Sequence, residues 1–67
     1  MKEHSLTDRE MQILQLIASG LTDHQIAQDL NITIHTANTH RKMILRKLSC
    51  VNVASMVATA FRRNLIR

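Results

Sequence analysis

The sequence predicts an all-α domain of four short helices. Among its 67 residues there is one glycine and no proline, so the punctuation that several short strands require is missing. The apolar residues return at steps of three and four rather than alternating, which is the helical and not the extended period. Two stretches, Thr7-Asp8-Arg9-Glu10 and Thr22-Asp23-His24-Gln25, have the form of a capping box, in which a threonine hydroxyl and a Glu or Gln three residues on satisfy each other's backbone donors. A chain of this length holds one core. Residues 1–5 are short and polar and read as a flexible lead-in, leaving 6–67 as the domain.

The first helix follows the cap at Thr7, with Leu6 placed to staple onto Met11. Its apolar residues Met11, Ile13, Leu14, Ile17 and Ala18 form one stripe, and Gly20 ends it as a left-handed C-terminal residue. Thr22 opens a second, shorter helix whose inward residues are Ile26, Ala27 and Leu30. Asn31, tolerant of left-handed geometry, breaks it, Ile32 points back to the core and Thr33 caps the third helix. That third helix, 34–48, is the one the others serve. At about 100° per residue, Ile34, Ala37, Ile44, Leu45 and Leu48 gather on one side, while His35, Asn38, Thr39, Lys42 and Arg46 project from the other. Helix, tight turn and a longer helix with a basic outer face is the helix-turn-helix arrangement, whose second helix lies in the major groove.

Asn52 caps a last helix expected over Val53–Asn64, with Arg62, Arg63 and Arg67 suited to the negative end of its dipole. It is too apolar for one core: its hydrophobic residues cover about 200°, where a surface helix needs little more than 100°. Val53, Met56, Val57 and Ala60 suffice for the core. Ala54, Ala58 and Phe61 are left as a stripe: either the small domain wraps the helix on two sides, or a second helix packs there, for dimerisation or docking to another domain.

Charge is divided unevenly. Residues 1–30 carry Lys2 and Arg9 against five carboxylates, a net of −3, whereas residues 31–67 carry seven Lys or Arg and no carboxylate, a net of +7. A basic half without an acid is the electrostatic footprint of a nucleic-acid binder. With one Phe and no Trp or Tyr, stacking platforms for single-stranded bases are missing, so duplex DNA is the favoured partner.

Other chemistries find no footing. His4, His24, His35 and His40 lack an i, i+4 pairing with a suitably spaced carboxylate or cysteine, so no metal site is expected. Cys50, the single cysteine, has no His-Asp arrangement to make it a nucleophile, and neither enzyme activity nor a cofactor is expected. A lone cysteine fits a reducing compartment, and no apolar run approaches the roughly 20 residues of a membrane span. A cytoplasmic protein is the expectation.

Taken together, Leu6-Thr7-x-Arg9-Glu10, Ala18-x-Gly20-Leu21-Thr22, Ile26-Ala27-x-x-Leu30-x-Ile32-Thr33, Thr36-x-x-x-His40 and Ile44-x-x-Lys47-Leu48 resemble the LuxR-type helix-turn-helix domain. That family occurs at the C-termini of response regulators and quorum-sensing receptors, and as small free-standing regulators. The match runs without gaps from Leu6 to Ile66. The resemblance implies a four-helix domain that dimerises through its last helix and binds double-stranded DNA as a transcription regulator. Partners implied are a second copy, DNA, and RNA polymerase or an upstream regulatory domain.

Carried over by position, the family's base-reading sites fall on Asn38, Thr39 and Lys42. Lys42 can donate to guanine O6 and N7, Asn38 can pair with an adenine edge, and the Thr39 methyl can pack on thymine. Thr33, Thr36, His40, Arg46 and Lys47 are placed for phosphates, which position a helix without conveying sequence. Arg41, at the edge of the apolar arc, lays its stem on the core and carries its head to a phosphate.

Three departures stand out. Ala37-Asn38 replaces the family's usual Val-Lys, removing a cation. Ser49 replaces a frequent glycine, which alters the next turn. Val53 stands where an arginine is common, which leaves Glu10 without its usual partner. The alternative function is a protein-interaction module on the same fold, pairing with another regulator through Ala54, Ala58 and Phe61 and binding DNA weakly or not at all.

Overall fold

The computed structural model describes residues 6–66; the lead-in at 1–5 and Arg67 lie outside the described residues. Four helices follow in order, α1 (Asp8–Ala18), α2 (Asp23–Leu30), α3 (Ile34–Lys47) and α4 (Val53–Arg62), and the described residues contain no strand. Both capping boxes form. Glu10 N donates to Thr7 Oγ1 at 3.1 Å while Thr7 N donates to Glu10 Oε1 at 2.9 Å, and Thr22 with Gln25 repeats the exchange at 3.2 and 2.9 Å. At α3, Thr33 Oγ1 accepts from Thr36 N at 3.1 Å, and at α4 Asn52 Oδ1 accepts from Ser55 N at 2.8 Å. Each helix thus begins on a side chain that satisfies one of its orphan donors.

The helices also end alike. Beyond each one a residue turns left-handed, Gly20 at φ 94°, Asn31 at 57°, Ser49 at 56° and Asn64 at 58°. The following amide reaches back across the last turn: Leu21 N to Leu16 O at 3.2 Å, Ile32 N to Ala27 O at 2.9 Å, Cys50 N to Leu45 O at 2.9 Å and Leu65 N to Ala60 O at 2.8 Å. These are Schellman closures. The one at Asn64 explains why α4 stops at Arg62 rather than continuing to Asn64 as the sequence suggested. Asn64 is the terminating residue and not a helical one.

Among the four left-handed residues, only Ser49 is neither Gly nor Asn. Its replacement of glycine is absorbed as strain in its own backbone, because a Cβ crowds the following carbonyl in this geometry. Ser49→Gly is expected to stabilise the domain by about 1 kcal/mol, a rise of roughly 4–8 °C in the thermal midpoint for a domain of this size. Thermal denaturation followed by circular dichroism checks it.

The fully buried side chains Ile13, Leu14, Ile26, Ile44 and Met56 come from all four helices. Leu6, Ile17, Ala27, Ala37, Leu48, Ala60 and Ile66 complete the core, with Met11, Leu30, Ile32, Leu45, Val53 and Val57 packed at its margin. Ile34, expected on the apolar arc of α3, is instead 49% exposed. It is the first residue of the helix, and the core reaches α3 only a turn later, at Ala37.

Candidate nucleic-acid interface

Burying Ala37, Ile44 and Leu48 fixes the rotation of α3, and with it the opposite side. His35, Thr39, Lys42 and Arg46 are exposed there, at intervals of four, three and four that keep them on one strip of the helix. Lys42 forms no ion pair with any described residue, so its ammonium is carried on the surface uncompensated. Arg46 rests one guanidinium nitrogen on the sulfur of Met43 at 3.9 Å. Thr33 and Thr36 join their hydroxyls at 2.8 Å at the positive end of the α3 dipole, and His40 is half-buried beside the strip.

The remaining residues of the expected site are engaged within the protein. Asn38 is half-buried and turns toward α2, donating from Nδ2 to Asp23 Oδ2 at 3.1 Å. The same oxygen receives Arg41 Nη2 at 3.2 Å. Arg41 borders a groove with Ile17, Leu21 and Val53. Its head, however, meets a carboxylate. Lys47 Nζ donates to Glu10 Oε1 at 2.7 Å. Glu10 is only 4% exposed. The partner withheld by Val53 on α4 is therefore supplied by α3.

That pair sets the ionisation of Glu10. Burial pushes its carboxyl up, but the Lys47 and Thr7 hydrogen bonds and the Lys47 charge outweigh burial and hold it below its ordinary value of 4.5. The pair pins the C-terminal end of α3 to the first turn of α1, so the strip is anchored at that end by a buried charge-assisted bond.

Neither Asp23 nor Glu10 was marked as belonging to this site by its sequence position. Both read as members of capping boxes, and their partners lie 15 and 37 residues away, far beyond the span of any local pattern. The one available signal is that acidic residues are confined to the first half of the chain and cations concentrated in the second. That distribution requires long-range pairs if the acids are to be covered.

On the outer side of α4, Ala54, Ala58 and Phe61 are exposed, Phe61 by 48%, and Val51 just ahead of the helix is 90% exposed. Cys50 is half-buried, its thiol donating weakly to Leu48 O and Thr59 Oγ1, both at 3.4 Å. Among the described residues no helix is long and apolar enough to cross a membrane.

Comparison with known proteins agrees with this architecture. Residues 4–60 match the family described as bacterial regulatory proteins, luxR family. The response regulator protein VraR of Staphylococcus aureus is 47% identical over 62 residues, 92% of this chain but 30% of VraR, and the VraR proteins of Staphylococcus epidermidis and Staphylococcus saprophyticus align to the same extent. The chain thus spans under a third of the length of these relatives. Among solved structures, the response regulator ChrA of a heme-sensing two-component system superposes with a TM-score of 0.89 at 33% identity, over 98% of this chain and 33% of ChrA. The Vibrio cholera VqmA protein, in a complex with ligand and DNA, superposes at 0.88 over 97% of this chain and 28% of its own, and at 23% identity that likeness concerns the fold. The chain belongs to the luxR family of bacterial regulatory proteins, and its four helices form the helix-turn-helix domain of that family.

Proposed function

We propose that this domain binds double-stranded DNA sequence-specifically as part of a cytoplasmic transcription regulator, with α3 in the major groove. The observation that carries the reading is the strip of Thr39, Lys42 and Arg46 on a helix with no acidic residue. Family membership, and the DNA present in the VqmA complex, support it. Thr39 and Lys42 read base edges, with Asn38 beside them, while Thr33, Thr36, His40 and Arg46 meet phosphates. Arg41 and Lys47 frame the strip through Asp23 and Glu10 rather than contributing free charge.

A salt titration of duplex binding tests this. With Arg46 as the free cation of α3 that meets phosphate, log K is expected to fall against log salt with a slope of about −1 per protomer from this helix. Lys42→Ala is expected to cost about 1–3 kcal/mol on a selected site and much less on random duplex. Equal losses on both would reduce Lys42 to a phosphate contact, and no duplex preference at low salt would sink the reading.

The domain acts as a dimer through Ala54, Ala58 and Phe61, a reading supported by the exposure of Phe61 on a helix whose opposite side already fills the core. Phe61→Glu is expected to keep the fold and yield monomers in sedimentation where the parent dimerises. An unchanged mass distribution at high concentration would count against this stripe. The same stripe favours the interaction-module reading if duplex binding fails.

A further inference from the structure

Asp23 occupies the first turn of α2, yet its Oδ2 is directed at α3, where it accepts from both Asn38 Nδ2 and Arg41 Nη2. A carboxylate only accepts, so the amide nitrogen of Asn38 must face it and Oδ1 must face away. A carboxamide has two flips, and each presents its acceptor and donor edge in the opposite order. An asparagine reads adenine by pairing that edge with N6 and N7, so the order decides which base it fits. One Nδ2 proton is committed to Asp23, and the second proton and Oδ1 remain for other partners.

Arg41 is constrained by the same carboxylate. Its Nε is buried without a hydrogen-bond partner, and its Nη2 is engaged at 3.2 Å. Its charge is therefore spent on Asp23, close to the strip, and the carboxylate itself repels phosphate. Both effects lower affinity for any duplex, whatever its sequence.

We propose that Asp23 is a positioning residue for specificity: it holds the Asn38 carboxamide in a single flip for base reading while keeping Arg41 off the DNA backbone. The inference rests on the DNA-binding function proposed above. Asp23 exchanges general affinity for discrimination, so removing it moves the two in opposite directions, which a residue needed only for folding would not do.

The test is selection from a pool of duplexes with a randomised core, carried out with the parent chain, Asp23→Ala, Asp23→Asn, Asn38→Ala and the Asp23→Ala/Asn38→Ala double variant. Asp23→Ala is expected to bind random duplex more tightly than the parent, with a salt slope steeper by about one unit as Arg41 reaches phosphate. It is expected to lose about tenfold in preference at one base pair of the selected site. Asn38→Ala should lose preference at the same base pair, and the double variant should lose no more. Asp23→Asn can donate as well as accept, satisfies either flip of Asn38, and should relax the same position; it carries the test if Asp23→Ala does not fold. Unchanged preference in both Asp23 variants, loss at different base pairs for Asp23 and Asn38, or weaker binding by both Asp23 variants to all duplexes would overturn the inference. A parent that selects no sequence overturns the function proposal and this inference together, whereas a selective parent with unaffected Asp23 variants overturns only the latter.

Discussion

Lys47→Met is expected to destabilise the domain by about 3 kcal/mol near neutral pH and to weaken or reverse its dependence on acid. The magnitude follows from what remains. Glu10 keeps its bond from Thr7 N but loses the 2.7 Å bond from Lys47, while staying almost wholly buried. Stranding one member of a buried ion pair costs roughly 3–5 kcal/mol, and the partial exposure of Lys47 places this case at the lower end. In the parent, the folded carboxyl titrates below 4.5, so its contribution is fully present above that value and lost as pH falls through the depressed one. Without Lys47, burial is opposed only by Thr7 and the folded carboxyl rises. A group whose folded pKa exceeds its unfolded one favours folding in acid, so the variant should close its deficit as the medium is acidified. Urea unfolding of both proteins between about pH 7 and about pH 3 measures this. Parallel curves would show that Lys47 is not what holds Glu10 ionised. The Glu10→Gln/Lys47→Met pair should recover part of the loss, since a neutral amide can still complete the capping box.

Ile44→Ala is expected to cost about 2–5 kcal/mol. Ile44 is fully buried, and it lies on the inner side of α3, behind the strip formed by Thr39, Lys42 and Arg46. Total stability of a domain this small is roughly 3–10 kcal/mol, so a cavity here consumes much of it and a substantial unfolded fraction should appear at moderate temperature. Ile44→Val, which removes a single methylene, should cost about 0.5–1.5 kcal/mol. A graded fall in thermal midpoint across the pair, seen by circular dichroism, checks the expectation. Near-parent stability for Ile44→Ala would mean that the helices close over the gap. The functional reading follows from the same geometry, because a helix that loses its inner anchor no longer presents a fixed outer strip.

Most of the fold was legible because its instructions are local. Thr7 with Glu10, Thr22 with Gln25, and the single caps Thr33 and Asn52 each act within four residues, and each starts a helix where the sequence placed it. Periodicity likewise separated Met56 and Ala60, which are buried, from Ala54, Ala58 and Phe61, which are not. Where local rules compete, they misled. Asn64 continues the helical run by spacing but ends it by taking left-handed geometry, and Ile34 belongs to the apolar arc by angle but precedes the packing that would cover it. Within the candidate site, the exposed strip on α3 followed from helical projection. The engagement of Asn38, Arg41 and Lys47 did not, since it depends on how α2 and α1 pack against α3 and no spacing along one helix encodes that.

The four matching helix closures bear on how the chain reaches this state. Start and stop signals flank every helix in sequence, so the limits of each helix are specified by residues next to it and not by its neighbours in space. The helices are 8 to 14 residues long, too short to persist alone, so these locally specified limits become stable only as the helices dock across short connections, the regime of low contact order in which small helical domains fold in microseconds to milliseconds. Ser49, the one closure made by a residue unsuited to it, is where that autonomy is weakest, and it falls between the helix that carries the basic strip and the helix that carries Phe61. The boundary between these two helices is thus the one least specified by its own residues, and the one that most depends on packing elsewhere.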